Sequence, residues 1–360
     1  GSDFSGVGAF DQALRKLGID YETIYACDWD KYSRQTYIEN YGEPKYFPKD
    51  VYEREIPKES LDLYMTSPPC QAFSLAGKRK GEDDERGILF YNSHEFIQKN
   101  NPRYFIFENV RGLLSDANGL TFKVWLDMLG GKSVNGNPVL FPNEKSTPYH
   151  IYWQVLNAKH YGVPQNRERV FIIGIRDDAD NTFRFPKTQH LTKKLKDVLE
   201  NNVEDKYFLS ETNNKRVNQN YNKHKHTIEK GDFMDSYNQT IHKYISPTIT
   251  TRVSASACNH IFEDVFILGY TRDGKGKVVK RNKLSYSNTI HTATGGGSNT
   301  DQFASVNNRI RRLTPRECFR LMDFPDTFKW SVSDTQAYKQ AGNSIVVSVL
   351  AEIINKLNLW

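Results

Sequence analysis

Cysteines and long apolar runs are both scarce in this sequence, and each scarcity narrows the classes of function. Only 4 of the 360 residues are cysteines, and no two of them form a Cys-x-x-Cys pair. This argues against a disulfide framework and against a zinc site, so we expect reduced thiols, a cytoplasmic protein and no bound metal. No apolar run approaches the ~18 residues that span a bilayer, and no signal-peptide pattern opens the chain, so we expect no membrane partner.

Charge of one sign is only slightly in excess. Lys plus Arg exceed Asp plus Glu by 49 to 43, which gives a net charge of +6 and a pI near 8.9. This bias favours a polyanionic partner, but many basic enzymes share it and never bind nucleic acid. The length exceeds the ~250–300 residues at which single cores usually stop growing, so we expect two domains or one domain with a large insertion.

The first half of the chain predicts an α/β fold with a doubly wound, mostly parallel sheet. Short β-type runs alternate there with amphipathic helical stretches, as in a parallel sheet covered by helices. The predicted strands are 24–27, 61–66, 104–107 and 169–175, and the predicted helices are 10–17, 32–41 and 94–98.

Further along, the composition changes. Residues 186–308 are rich in Asn, Lys, Thr, Tyr and His with little helical period, which indicates a separate, smaller β-rich domain. Helices are predicted again at 316–322 and 344–357, and 340–344 is expected to start the last helix. We therefore divide the chain into 1–185, 186–325 and a return to the first domain at 326–360.

A glycine-rich turn, Phe4-Ser5-Gly6-Val7-Gly8, precedes the first predicted helix. We expect a short strand before it, of which the sequence includes only the end. Many such turns bind no ligand, but the next strand ends in Asp28 and Trp29, which suit a ribose and a purine ring. A third acidic residue, Asp50, precedes Val51. Together these residues predict a nucleoside pocket at the carboxyl ends of the strands.

The strongest local signal is Ser67-Pro68-Pro69-Cys70-Gln71-Ala72-Phe73-Ser74, directly after a predicted strand. The two prolines predict a rigid turn that presents Cys70 at the sheet edge. Packing in a core is the commonest role of a free thiol. Polar Gln71 and Ser74, in a proline-stiffened loop where ligands bind, favour a nucleophile instead.

Three other groups of polar residues adjoin predicted elements. Glu108 ends an apolar strand, although a lone glutamate there is usually just solvated. Arg167 and Arg169 alternate at the start of another strand, which predicts both guanidinium groups on one side, with surface salt bridging as the alternative. Asn343 or Ser344 can serve simply as a helix N-cap.

The order and spacing of these motifs resemble the DNA cytosine-5 methyltransferases, especially the single-chain bacterial and phage enzymes of modification systems. The resemblance covers nearly the whole chain except the polar domain. The matching motifs are the cofactor loop Phe4 to Gly8, the ribose and adenine contacts Asp28-Trp29, the third cofactor motif Asp50-Val51, the nucleophile motif Pro69-Cys70-Gln71, the glutamate motif Glu108-Asn109-Val110, the glutamine-arginine-arginine motif 165–169, the penultimate motif 311–318 with Phe324-Pro325, and the last motif Gly342-Asn343-Ser344.

Two positions depart from the family pattern. Asp28 stands where the family usually has Glu, which shortens the side chain by one methylene but keeps the acceptor. Asp3 occupies a position in the first strand that is normally apolar. Both departures concern the cofactor end of the chain.

The resemblance implies a Rossmann-like methyltransferase fold with a target-recognition domain in the polar region. It implies double-stranded DNA as partner and S-adenosylmethionine as methyl donor, with S-adenosylhomocysteine as product. Cytosine would be flipped out of the duplex and attacked at carbon-6 by Cys70. Glu108 would act on the ring nitrogen, and Arg169 would hold the carbonyl oxygen with help from Arg167. The predicted cofactor contacts are Phe4, Gly6, Gly8, Asp28, Trp29, Asp50, Val51, Pro69, Asn343 and Ser344.

Residues 71–86 form a basic stretch beside the nucleophile. A solvated charged loop is the alternative, but next to Cys70 we expect a loop that closes on DNA. Three glycines of the polar domain resemble a recognition element. The predicted DNA contacts are Gln71, Ser74, Lys78, Arg79, Lys80, Arg252, Gly295, Gly296 and Gly297.

Three rival functions remain open at this point. An RNA cytosine methyltransferase has the same catalytic residues, although the long polar domain favours sequence-specific DNA. A nicotinamide-dependent oxidoreductase suits the glycine turn and Asp28 but leaves Cys70 without a purpose. A catalytically silent DNA-binding protein would not need that thiol. A monomer is expected, and a cognate restriction endonuclease acting separately is compatible with the resemblance.

Overall fold

The computed structural model describes residues 1–69, 89–179, 182–208, 210, 232–235, 240–243, 246–247, 259–261, 303–306, 309–357 and 359. The strands of the first part are β1 Ser2–Asp3, β2 Ala26–Cys27, β3 Leu63–Thr66, β4 Tyr104–Val110, β5 Ser133–Val134, β6 Asn137–Pro138, β7 Tyr149–Asn157, β8 Gln165–Asn166 and β9 Glu168–Arg176. Those of the second part are β10 Asp232–Asp235, β11 Thr240–Lys243, β12 Ser246–Pro247, β13 Asn259–Ile261, β14 Phe303–Val306 and β15 Arg309–Arg312.

The α-helices of the described residues lie in two groups, one before residue 130 and one after residue 314. They are α1 Ala9–Lys16, α2 Lys31–Tyr41, α3 Leu89–Asn100, α4 Leu120–Leu129, α5 Pro315–Leu321, α6 Asp334–Asn343 and α7 Val347–Ile354. The predicted helices at 10–17, 32–41, 94–98 and 316–322 are confirmed by α1, α2, α3 and α5. One prediction is wrong: residues 340–344 do not start the last helix but end α6, and α7 begins only at Val347.

An eight-stranded sheet in the order β2-β1-β3-β4-β9-β7-β5-β6 forms the centre of the fold. The strands β2, β1, β3 and β4 are parallel, as predicted. The rest of the sheet is mixed, because β9 runs antiparallel to both β4 and β7. The chain leaves β1 for β2 on one side and later returns to β3 on the other. A switch of this kind opens a crevice at the carboxyl ends of the strands, where ligands bind in open α/β sheets.

The central strands of the sheet, β3, β4 and β9, are buried on both faces, which explains their continuous apolar runs. In β9, Phe171, Ile173 and Ile175 pack in one core with α1 and the C-terminal helices. Val170 and Ile172 face the other core, which contains α3 and α4. Successive side chains of a strand point to opposite faces, so the run at 170–175 supplies both cores.

A second sheet, in the order β11-β10-β13-β15-β14, lies within the predicted target-recognition domain. However, several residues from the two ends of 186–325 pack in the core with α1, including Leu195, Val198, Tyr207, Leu313, Phe319 and Phe324. The ends of this region thus pack with the first sheet, and an isolated bridge pairs Phe208 with Arg311 where they meet.

A buried ion pair joins the second sheet to α5. Arg311 of β15 donates to both carboxylate oxygens of Glu317, at 2.8 and 2.7 Å, and both side chains are almost fully buried. The same carboxylate accepts the backbone N–H groups of Thr314 and Glu200 at 2.8 Å. Glu317 therefore ties together the segments that enter and leave the second sheet.

We expect Glu317→Gln to lower the free energy of unfolding by about 3 kcal/mol, because it leaves a buried guanidinium without its counter-charge. Asp326→Asn is the matched control, since it breaks the exposed pair between Arg320 of the same helix and Asp326, which should contribute less than about 1 kcal/mol. Urea unfolding measures both. Equal losses in the two variants would contradict this account of the pair.

Candidate active site

The candidate site lies at the carboxyl ends of the four parallel strands. The Phe4–Gly8 turn follows β1, Asp28 follows β2, Ser67 follows β3, and Glu108 lies near the end of β4. Because β1 and β3 flank the switch in strand order, the predicted cofactor loop and the predicted nucleophile turn border the same crevice.

Positive backbone φ angles shape the turn after β1. Phe4 and Gly6 both have φ near 54°, and Gly8 has φ 81° at the start of α1. A side chain at Gly8 would also collide with the Tyr41 ring, because an added Cβ would lie 2.2 Å from it. The hydroxyl of Ser5 accepts the Cys27 N–H at 2.9 Å and donates to the Cys27 carbonyl at 3.0 Å. These hydrogen bonds hold the turn against the end of β2.

The structure brings Asp28 directly against this turn. Its two carboxylate oxygens accept the backbone N–H groups of Gly6 at 2.8 Å and of Asp30 at 2.9 Å. Burial raises the pKa of Asp28 to about 6, although both hydrogen bonds oppose the shift. Trp29, the next residue, is 83% exposed, which is unusual for so large an apolar side chain.

The predicted third cofactor motif forms a turn outside the sheet. The Asp50 carboxylate accepts the backbone N–H of Tyr52 at 2.9 Å, and Val51 is buried. The Val51 carbonyl accepts a hydrogen bond from Arg54. Asp50 itself is exposed, so its carboxylate is accessible to a ligand.

The predicted nucleophile turn leads toward Glu108. Ser67 donates its hydroxyl to Glu108 Oε2, and Asn109 Nδ2 donates to the Pro68 carbonyl at 3.4 Å. Pro68 is buried and Pro69 is exposed. Cys70 follows Pro69 in the sequence but lies outside the described residues.

Glu108 and Arg169 form an enclosed ion pair. Glu108 Oε1 lies 3.0 Å from Arg169 Nε, and the side chains are 6% and 11% exposed. In the antiparallel register, Glu108 faces Phe171 and Val110 faces Arg169, so the two charged residues are diagonal neighbours on one face. The pair unites two residues that are 61 positions apart in the sequence.

Arg167 turns to a different partner. It lies just before β9 and donates to the carbonyls of Gly342 at 3.1 Å and Ser344 at 2.7 Å. Burial and the positive charge of Arg169 hold the pKa of Arg167 well below its usual range. A cation suits carbonyl groups at a helix C-terminus, and these two belong to the end of α6. Of the predicted last motif, Ser344 is buried and Asn343 is exposed.

Two contacts of the site had no clear signal in the sequence. Ser67 precedes the prolines of the nucleophile motif, and nothing in that motif predicts that its hydroxyl donates a hydrogen bond to Glu108. Gln165 is fully buried and donates to the Leu321 carbonyl at 2.5 Å, which fastens the start of the arginine segment to α5.

The predicted DNA contacts Gln71, Ser74, Lys78, Arg79, Lys80, Arg252, Gly295, Gly296 and Gly297 all lie outside the described residues. Within the described part of the chain, no group of three or more His, Cys, Asp or Glu side chains could hold a metal ion. No described helix is long and apolar enough to cross a membrane.

Comparison with known proteins identifies the family. A model of the C-5 cytosine-specific DNA methylases matches residues 2–358. The orphan methyltransferase M.SPRI of Bacillus phage SPR is 31% identical, with 98% of this chain and 96% of the relative covered. The type II methyltransferase M.HhaI of Haemophilus parahaemolyticus is 32% identical, with 97% and 91% covered. A solved DNMT2 variant of Spodoptera frugiperda shares the fold, with a TM-score of 0.63 at 19% identity and 98% and 97% covered. The chain therefore belongs to the C-5 cytosine-specific DNA methylase family.

Proposed function

We propose that this DNA cytosine-5 methyltransferase works through a covalent adduct between Cys70 and a cytosine that is flipped out of the duplex. The main support is the Glu108–Arg169 pair, which lies beside the Ser67–Pro69 turn that leads to Cys70. One carboxyl group and one guanidinium group side by side can form hydrogen bonds to the ring nitrogen and the carbonyl oxygen of the same pyrimidine. An oxidoreductase would have no use for this arrangement.

Cys70 begins the reaction. Its thiolate forms a bond to carbon-6 of the cytosine, and the electron pair of the carbon-5–carbon-6 double bond moves toward carbon-5 and the ring. Glu108 donates a proton or a hydrogen bond to the ring nitrogen, which accepts the developing charge. Arg169 holds the carbonyl oxygen and stabilises the same charge.

Carbon-5 is then nucleophilic enough to take a methyl group. S-adenosylmethionine, when bound, supplies that group as an electrophile on its sulfonium. The product forms when the carbon-5 proton leaves to a base and the bond between Cys70 and carbon-6 breaks, which restores the ring double bond and the thiolate. The ring nitrogen returns any proton it took to Glu108. The cysteine returns unchanged, so the enzyme turns over.

The residues around the glycine turn fit the cofactor. The exposed Trp29 ring offers a flat apolar surface for an adenine, and Asp28 offers carboxylate oxygens for ribose hydroxyls. Phe4, Gly6 and Gly8 shape the turn beside them, and Asp50 with Val51 would contact the same ligand. Pro69, Asn343 and Ser344 complete the set of proposed cofactor contacts.

Arg167 has a positioning role in this proposal. Its hydrogen bonds to Gly342 and Ser344 direct it toward the end of α6. It thereby holds the proposed cofactor contacts of the last motif against the strand that carries Arg169.

We assign DNA recognition to the second sheet and to the residues around it. The packing of residues 195–207 and 313–324 with the first core favours a domain limited to about 209–312, narrower than 186–325. The loop from Gln71 would close on DNA through Ser74, Lys78, Arg79 and Lys80, while Arg252 and Gly295 to Gly297 would contact the target site. We further propose a monomer within a restriction-modification system, with any endonuclease acting separately.

The decisive test is transfer of labelled methyl from S-adenosylmethionine to unmethylated duplex DNA, with single-stranded DNA and RNA in parallel. We expect label at carbon-5 of duplex cytosine and none with Cys70→Ala, because the adduct cannot form without the thiol. Bisulfite mapping locates the target site. Label confined to RNA would favour the RNA methyltransferase, and DNA binding without any transfer would favour the silent binder.

We expect Glu108→Gln to lower kcat by about 10²- to 10⁴-fold, because an amide cannot deliver the proton that the ring nitrogen needs. Ser67→Ala removes only the hydroxyl on Glu108 and should cost less. Trapping with a duplex that carries 5-fluorocytosine reports adduct formation for each variant. Glu95→Gln, in an exposed pair with Lys99, is the control and should act as wild type. A Glu108→Gln enzyme with wild-type kcat would remove this residue from the mechanism.

Cofactor affinity should depend on pH through Asp28. In the protein without cofactor, the pKa of Asp28 is about 6. Ribose hydroxyls donate to the ionised carboxylate, so cofactor binding should lower this pKa. We expect the Kd for S-adenosylhomocysteine to be constant above pH 7 and to rise by up to about tenfold per pH unit below 6. Calorimetry from pH 5 to 8 measures this dependence. Asp28→Asn should bind more weakly at pH 7 and lose the dependence; if its pH profile matches that of wild type, another group is responsible.

A further inference from the structure

The last residue of β1 is a buried carboxylate where the family resemblance leads us to expect an apolar side chain. Asp3 is 1% exposed. Its oxygens accept the hydroxyls of Tyr25 at 2.5 Å and Tyr64 at 2.6 Å, and one of them lies 3.0 Å from Arg54 Nη2. Burying a carboxylate is costly unless it is paired and hydrogen-bonded, and here both conditions are met.

Arg54 links this carboxylate to two other segments. Its Nη1 donates to the Val51 carbonyl, and its Nη2 donates to the Asn92 carbonyl of α3 at 2.8 Å. Its side chain is 2% exposed and its guanidinium carbon lies 5.4 Å from the centre of the Phe96 ring. Burial raises the pKa of Asp3 and, taken alone, would lower that of Arg54. The charge of Asp3 acts on Arg54 together with Tyr25, Tyr64 and Cys27, and the sum raises the pKa of Arg54, so the guanidinium stays charged.

The segment that carries Asp50 and Val51 is held largely by side chains. Arg34 donates to the carbonyls of Phe47 and Pro48 at 2.8 Å each, and Asn92 Nδ2 donates to the Val51 carbonyl at 3.5 Å. Residues 43–62 contain no helix and no strand beyond a single bridge, between Tyr25 and Tyr46. The Phe4 turn and Asp28, in contrast, are fastened to adjacent strands of the sheet by backbone pairing. The Asp50–Val51 turn therefore depends on side chains for its position relative to β1, and Arg54 supplies the charged link.

We propose that Arg54 is a positioning residue for the cofactor: anchored on Asp3, it holds the Val51 carbonyl and thereby sets the Asp50–Val51 turn against the Phe4 turn. This inference rests on the proposed function, because it takes Asp50 and Val51 as part of the cofactor pocket. A turn that is already held in place need not be ordered by the ligand, and such preorganisation improves affinity. Loss of the link should therefore weaken cofactor binding and leave the chemical step intact.

The test compares Asp3→Asn with the double variant Asp3→Asn/Arg54→Met. The amide of the single variant keeps an acceptor for Arg54 and polar partners for both tyrosines, so that variant retains the link to Val51. The double variant removes the buried charges together and replaces Arg54 by an apolar side chain of similar length, which avoids an unpaired ion. Calorimetry with S-adenosylhomocysteine gives Kd, and steady-state methylation gives kcat at saturating cofactor.

We expect the double variant to raise Kd at least tenfold over Asp3→Asn, with kcat within about twofold and KM for DNA unchanged. Arg54→Lys is a second test should the double variant fail to fold. One ammonium group cannot reach Asp3, Asn92 and Val51 together, so we expect Kd to rise at least threefold. A purely structural role would lower the melting temperature and the active fraction without changing the Kd of the folded protein.

Kd values within twofold of wild type in both Arg54→Lys and the double variant would overturn the positioning role and leave the proposed function standing. If only Arg54→Lys folds, its Kd decides. A wild-type protein that binds no S-adenosylhomocysteine would overturn the cofactor assignment itself, and the positioning role with it.

Discussion

The register between β4 and β9 is the constraint on which the active-site geometry depends. A slip of one residue would place Arg169 on the opposite face of the sheet from Glu108 and would exchange the residues that fill the two cores. Phe171 and Ile173 on one face, with Val170 and Ile172 on the other, make such a slip costly. The packing of apolar side chains thus determines where the two charged groups of the proposed catalytic pair meet.

The sequence predicted the elements whose signals are local. The periodic apolar spacing of α1 and the continuous apolar run of β9 are both local patterns, and both elements were confirmed. The antiparallel pairing of β9 with β4 and β7 was not predicted, because strand direction follows from pairing between distant segments. Residues 340–344 were assigned to the wrong end of a helix for a related reason. Their glycine and polar residues suit either a helix start or a helix end, and packing against Arg167 decides between them.

For the site, the predicted strand ends correctly indicated which residues lie together. The predicted side-chain directions were less reliable. Parallel strands deliver their carboxyl ends to one edge, so Asp28, Ser67 and Glu108 could be placed together from sequence alone. The alternation rule predicted one direction for Arg167 and Arg169, but Arg167 precedes the strand, where that rule no longer applies. In the sequence, only the unusual Asp3 pointed to the Asp3–Arg54 pair. Arg54 lies 51 positions away and belongs to no motif.

The bridge between Phe208 and Arg311 has a consequence for how the chain can vary in length. It places the two ends of the intervening segment side by side. Glu317 binds the chain on both sides of this segment, at the Glu200 N–H before it and at the Arg311 side chain after it. Once the ends of a loop are fixed, the entropy of closing it rises only with the logarithm of its length, by about 0.6 kcal/mol for each doubling. Insertions and deletions between these two residues therefore cost the catalytic core almost nothing, and the segment that would read DNA is the part of the molecule freest to diverge.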